Sequence, residues 1–215
     1  MKYYQDKPLG YYENARVEML KYLPATAKKV IDIGCGGGAL AKIIKERNKA
    51  EVWGIEYVDE EAKMAKQHLD RVFSGPCENY IKDLPDNYFD VVYLNDVLEH
   101  LVDPYSVLQD LKVKLSANGV IISSIPNVRY FKTFSRIVFK KDWQYEEFGT
   151  MDKTHLRFFT GKSIRRMYED LGYQIITHEA INKTKSIKPI LFNVVVLFTQ
   201  WDIRNLQYAT VVKAK

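Results

Sequence analysis

The segment Val30-Ile31-Asp32-Ile33-Gly34-Cys35-Gly36-Gly37-Gly38-Ala39 constrains this chain more than any other. A short apolar run passes into a cluster of glycines and then into an amphipathic stretch, so the spacing predicts a strand over 29–33, a loop over 34–38 and a helix over 39–47. Glycine in such a loop lets the backbone turn sharply and come into contact with a ligand. The unit therefore implies a bound nucleotide-type cofactor. Read as Gly34-x-Gly36-x-x-Ala39, it also satisfies the dinucleotide fingerprint, and Glu56, about twenty residues on, suits a ribose diol in either case.

Asp32 separates the two readings. It puts a carboxylate near the carboxyl end of the strand, where a dinucleotide would lay its anionic pyrophosphate, and like charges repel there. S-adenosylmethionine brings an ammonium and a sulfonium instead, both of which a carboxylate attracts. The charge logic favours the methyl donor.

The rest of the chain continues the alternation. Residues 13–22 read as an amphipathic lead-in helix, closed by Pro24. Strands are predicted over 52–56, 71–74, 89–94 and 120–125, with helices over 59–69 and 105–115 between them, the first capped by Asp59. After Pro126 the period is lost, and residues 127–159, rich in aromatics and charges, read as an insertion. Thr160 then caps a helix over 161–171, followed by a strand over 173–179, a helix near 189–200 and a last strand over 208–213. The fold class this implies is α/β, a Rossmann-like doubly wound sheet of seven strands with the last antiparallel, in one domain of residues 1–215 with a lead-in over 1–28.

Composition narrows the partners. With 47% apolar and 27% charged residues in 215, the chain has the make-up of an ordinary globular domain, which excludes disorder as its default. Its one dense apolar run, 190–198, is far shorter than the roughly 20 residues a membrane span needs. The first six residues lack the features of an export signal, so the cytoplasm is the expected location. Neither Cys35 nor Cys77 belongs to a zinc-type cluster, and the expected site includes no metal. Arg129, Lys132, Arg136, Lys140 and Lys141 raise a nucleic-acid hypothesis, which the nearby Glu146, Glu147 and Asp152 argue against. A small-molecule acceptor and a monomer or homodimer are the expectations.

The stretches Asp32-Ile33-Gly34-Cys35-Gly36-Gly37-Gly38, Glu56 and Phe89-Asp90-Val91-Val92-Tyr93-Leu94-Asn95-Asp96-Val97-Leu98-Glu99-His100-Leu101 resemble successive motifs of class I S-adenosylmethionine-dependent methyltransferases. The likeness covers residues 10–126 well. It extends more loosely to Asp152-x-Thr154-His155-Leu156-Arg157-Phe158-Phe159-Thr160, similar to a segment of bacterial members, some associated with surface-sugar pathways. The resemblance implies S-adenosylmethionine as cofactor, with Asp32, Gly34, Cys35 and Gly36 along its methionine part, Glu56 on the ribose hydroxyls, and Asn95 with Asp96 near the sulfonium. Tyr57 and Cys77 are expected at the adenine, because Pro76 stands where the family commonly has an acidic residue. In similar enzymes the N-terminal segment folds over the cofactor, which would bring Tyr12 and Arg16 to it, the arginine at the methionine carboxylate.

Methyl transfer is an in-line displacement on an activated carbon, and alignment alone can supply much of its rate. If the acceptor is a hydroxyl, a histidine suits the proton, and His155 and His100 are the candidates, as base or as acceptor contacts. Of the other two, His68 falls inside a predicted helix and His178 inside a predicted strand. The resulting expectation is O-methylation of a small molecule. A nicotinamide-dependent oxidoreductase and a non-catalytic cofactor-binding protein are the alternatives.

Overall fold

In a computed structural model that describes residues 15–215, the glycine segment lies at the centre of a seven-stranded sheet. The strands are β1 (Lys29–Ile33), β2 (Glu51–Glu56), β3 (Arg71–Ser74), β4 (Phe89–Asn95), β5 (Leu115–Pro126), β6 (Tyr173–Lys183) and β7 (Asn205–Ala214), in the order β3-β2-β1-β4-β5-β7-β6. The pairings from β3 to β5 are parallel, and β7 runs antiparallel to both of its neighbours.

Successive residues of a strand face opposite sides of a sheet, and here both sides are covered. On one face Ile31, Val92 and Ile121 pack with α3 (Pro104–Lys112) and α5 (Gly161–Asp170) through Val107, Leu108, Leu111, Ile164 and Met167. On the other, Val30, Val91 and Ile122 meet Leu40, Ala41 and Ile44 of α1 (Ala39–Asn48) and Ala65 of α2 (Asp59–Ala65). Burial on both faces explains why β1 and β4 are dominated by apolar residues, with Asp32 near the end of β1 and Asp90 near the start of β4 as the charged exceptions.

Local signals account for the helix ends. Thr160 Oγ1 accepts from the Ser163 amide at 3.2 Å while Ser163 Oγ accepts from the Thr160 amide at 2.8 Å, a reciprocal cap for α5. Gly172, with φ +73°, takes the left-handed turn that ends it.

Some expectations are corrected. The lead-in is a 3-10 helix over Val17–Tyr22, and Tyr12 lies outside the described residues. α2 stops at Ala65, so His68 falls in the turns that follow it. Asp59 does not cap α2: Val58 holds that position, and the Asp59 carboxylate accepts from Ser74 Oγ. The helix near the C-terminus, α6 (Lys188–Val195), is shorter than its apolar run, and the insertion carries one short helix, α4 (Phe131–Ser135), continued by a π turn over Arg136–Lys140.

Candidate active site

The strand order reverses direction between β1 and β4, and open α/β sheets bind their ligands beyond the carboxyl ends of the strands at such a point. A cavity of about 900 Å³ lies there. It stands at the upper end of the range of small-molecule pockets. Gly34 turns out of β1 with φ +76°, and a Cβ on it would come within 2.6 Å of Val97 Cγ2, just past β4. No other residue fits both the backbone and that space.

Glu56, at the end of β2, is 5% exposed. Its two oxygens accept from the amides of Gly36 at 2.8 Å and Val58 at 2.9 Å, so the carboxylate both ties down the glycine loop and faces the cavity. Burial pushes its pKa above the usual carboxylate range, while the amides of Val58, Gly36 and Tyr57 pull the other way. Asp32 is more deeply affected: burial first, and then the negative Glu56, raise it to about 7. An empty pocket thus holds two carboxylates at a cost that a cationic guest would relieve.

Asn95, the last residue of β4, lines the same cavity, and among the described residues neither its Oδ1 nor its Nδ2 has a hydrogen-bond partner. Buried amides are normally satisfied, so these atoms await a ligand. The other predicted contacts also border the cavity, with qualifications. Cys35 turns its thiol into the core, where it would meet a Cβ on Gly54, leaving its backbone for the loop. Cys77 is buried, with its pKa pushed up by that burial, and Tyr57 is the more exposed wall beside it. Arg16 reaches the cavity, but its guanidinium pairs with Asp96 and with Glu18, and donates to Ser124 Oγ and Gln207 Oε1. Asp96 also accepts from Gln207 Nε2 at 2.7 Å, so this pair pins the lead-in to β5 and β7.

On the acceptor side, residues 150–157 fold back onto the short turn after β4. The Glu99 carbonyl accepts from the amides of Leu156 and Arg157, at 2.8 and 3.0 Å. This docking brings together His100 and His155, far apart in sequence, with ring centroids 4.7 Å apart. Two residues that the sequence reading passed over belong here. Glu99 is 1% exposed and lines the cavity, and Glu78, two residues past Pro76, lines it at the opposite end. The signal for Glu99 was present as an acidic residue beside a histidine at a strand end, flanked by the buried Leu98 and Leu101.

Three of the five cations in the basic stretch of the insertion are paired within the chain, two of them sharing Glu146. Arg129 pairs with Asp202 at 2.6 Å, Arg136 with Glu146 at 2.6 Å and Lys132 with Glu146 at 2.9 Å. Among the described residues no helix is long and apolar enough to cross a membrane.

Comparison with known proteins completes the assignment. Residues 9–178 match a family model described as a methyltransferase domain. The chain belongs to this methyltransferase family. Its cofactor is S-adenosylmethionine, and the two buried carboxylates of the pocket suit that cationic guest. Curated relatives include the ubiquinone biosynthesis O-methyltransferase of Haemophilus ducreyi, 37% identical over 122 residues, which are 52% of this chain and 50% of that protein. The protein of the same description from a Shewanella strain is 28% identical over 163 residues, 70% of this methyltransferase and 67% of that one. The chain spans about half the length of the curated relatives it matches first. Among solved structures, a SAM-dependent methyltransferase from Archaeoglobus fulgidus covers 94% of each chain with a TM-score of 0.71 at 22% identity. One from Thermotoga maritima, described as a possible histamine N-methyltransferase, covers 95% of this chain and 89% of its own with a TM-score of 0.65 at 18% identity. These likenesses concern the fold.

Proposed function

We propose that this methyltransferase moves the methyl group of S-adenosylmethionine to a hydroxyl of a small acceptor. The observation that carries the reading is the buried pair Asp32 and Glu56 at the mouth of the glycine loop, two carboxylates against a guest that is cationic at nitrogen and sulfur. Asp32, Gly34 and the backbone of Cys35 and Gly36 hold the methionine part, Glu56 takes the ribose hydroxyls, and the Asn95 amide stands by the sulfonium. At the adenine, Tyr57 and the backbone of Cys77 supply contact, and Glu78 offers the carboxylate that Pro76 does not. Arg16 and Asp96 act as a pair that closes this end.

The acceptor enters from the side of the insertion, where residues 127–159 form a cap within a single domain and His100 and His155 are the acceptor contacts. In the transfer, an acceptor oxygen forms a bond to the methyl carbon, sulfur keeps the electron pair of the bond that breaks, and the hydroxyl proton leaves. The ion pair of Arg136 with Glu146 within the cap and a cavity of small-molecule size support a small molecule over a nucleic acid; action in the cytoplasm as a monomer or homodimer is part of the same reading.

The test has two parts. Calorimetry with S-adenosylmethionine should give one site per chain, and no heat at millimolar cofactor overturns the reading. A labelled-methyl screen should then cover quinone precursors, which the relatives' description as ubiquinone biosynthesis O-methyltransferases puts first, with nucleotide sugars, carboxylic acids and tRNA after them. Transfer to a hydroxylated small molecule is expected, and transfer to tRNA alone would overturn the acceptor class.

A further inference from the structure

Methyl transfer leaves one feature of the acceptor side without a purpose. Glu99 is 1% exposed, and neither of its carboxylate oxygens has a hydrogen-bond partner. Burying such a group costs free energy that a protein normally offsets with donors or a cation. Glu56, on the same cavity, has two backbone amides for this purpose. Among the described residues Glu99 has no such donor from another residue, only its own backbone and the charge of Arg16.

What stands around it is two imidazoles. One oxygen of Glu99 and one ring nitrogen from each of His100 and His155 all lie within 4.8 Å of one another, with Glu99 Oε1 4.0 Å from His155 Nε2. Each ring is oriented from behind. His100 Nδ1 lies 3.2 Å from the Thr154 carbonyl, and His155 Nδ1 lies 3.2 Å from the Thr150 carbonyl. A carbonyl only accepts, so each Nδ1 carries a proton and each neutral ring presents its lone pair at Nε2. This is how ligating histidines are usually held. All three side chains border the cavity.

We propose that Glu99, His100 and His155 form a binding site for a divalent transition-metal ion beside the methyl donor. Two imidazoles and one carboxylate suit zinc, manganese, iron or cobalt, whereas magnesium and calcium prefer oxygen throughout. Ligands about 2.1 Å from such an ion stand roughly 3 to 3.5 Å from each other, so the set closes by about 1 Å on binding. Three protein ligands leave open positions, and these face the cavity. The inference rests on the methyl-transfer reading and sharpens its acceptor: a molecule with two adjacent oxygens, a vicinal diol or a hydroxy-carbonyl, would fill those positions. Ligation favours the deprotonated hydroxyl and its proton passes to water. The oxygen then takes the methyl, and the sulfonium becomes a thioether.

The test uses the full chain, dialysed against EDTA, with cobalt(II) and zinc(II) alone as probes. Cobalt should bind one per chain and develop visible d–d absorption, and calorimetry should show zinc binding more tightly than magnesium or calcium. Glu99→Gln and His155→Ala should each weaken binding at least about tenfold, the loss that even indirect support of a metal ligand produces. His178→Ala, in β6 and stacked on Tyr208, should leave it unchanged. Circular dichroism establishes that each variant is folded. Should Glu99→Gln fail to fold, His155→Gln decides in its place. Absence of binding at millimolar metal, equal affinity for magnesium, or undiminished affinity in the folded variants overturns the site. S-adenosylmethionine calorimetry on the same metal-free protein separates the two proposals: cofactor binding without metal binding refutes only the metal site, and metal binding without cofactor binding refutes only methyl transfer.

Discussion

Glu56 and Glu99 are both carboxylates buried against one cavity, yet the chain treats them in opposite ways. On the β1–β2 side, the Glu56 oxygens are met by amides of the glycine loop and of the turn into α2, each within about twenty residues in sequence or adjacent to it. On the β4 side, Glu99 is faced by its neighbour His100 and by His155, brought from an insertion more than fifty residues away, and among the described residues no hydrogen bond reaches its carboxylate. The first half is a local device completed by its own backbone. The second is assembled by long-range docking and completed by whatever binds there. Burial raises both pKa values, that of Glu99 to about 8, where no hydrogen bond from another residue offsets it.

The comparison can be broken most severely at the loop. Gly34→Ala places a Cβ against Val97 in a left-handed backbone, and strain with overlap should cost on the order of 3 kcal/mol of stability, read by thermal unfolding. A shift of less than a degree would mean that the loop is not as tightly set as the geometry implies. Glu56→Ala removes the acceptor of the Gly36 and Val58 amides and, on the proposed reading, of the ribose hydroxyls, so cofactor affinity should fall by about 1 to 3 kcal/mol in calorimetry. Unchanged affinity would strip Glu56 of its role.

Asp32 gives a pH arm. Burial and the neighbouring Glu56 raise its carboxyl to about 7, and a cationic guest favours the ionised form. Below that value the group is protonated before binding and must lose its proton, so cofactor affinity should drop by up to about tenfold per unit as pH falls from 7. Asp32→Asn should flatten this dependence, and an unaltered slope in that variant would place the titration elsewhere. The smallest effect belongs to the other half. Arg136→Ala breaks a partly exposed pair with Glu146 inside the insertion, worth less than about 1 kcal/mol, and should alter acceptor KM while leaving cofactor affinity as it is. A matching loss of cofactor affinity would show that the two halves are not independent.

Much of this was legible before the structure. β1 and β3 were predicted with the bounds observed, β1 from an apolar run ended by Gly34 and β3 from the short pair Val72 and Phe73 ahead of Gly75. The helix caps of α5 were equally plain, since Thr160, Ser163 and Gly172 act within one or two turns. Asp59 misled because an aspartate ahead of a helix caps it only if its backbone stays extended, and here the side chain is drawn to Ser74 of the neighbouring strand. Arg16 looked like a ligand contact, but its pairing with Asp96 depends on how the lead-in crosses β5 and β7. His155 was chosen for its place in the insertion, while its partner Glu99 was passed over because nothing in a linear motif reveals a missing hydrogen bond.

The sequence by itself determined the α/β sheet, the glycine loop and the negative pocket for a cationic cofactor, because those follow from periodicity, backbone freedom and charge over short spans. Only the tertiary structure decided what the acceptor side contains. The docking of residues 150–157 onto the Glu99 carbonyl joins groups more than fifty positions apart, and whether a buried carboxylate is satisfied depends on every neighbour in space.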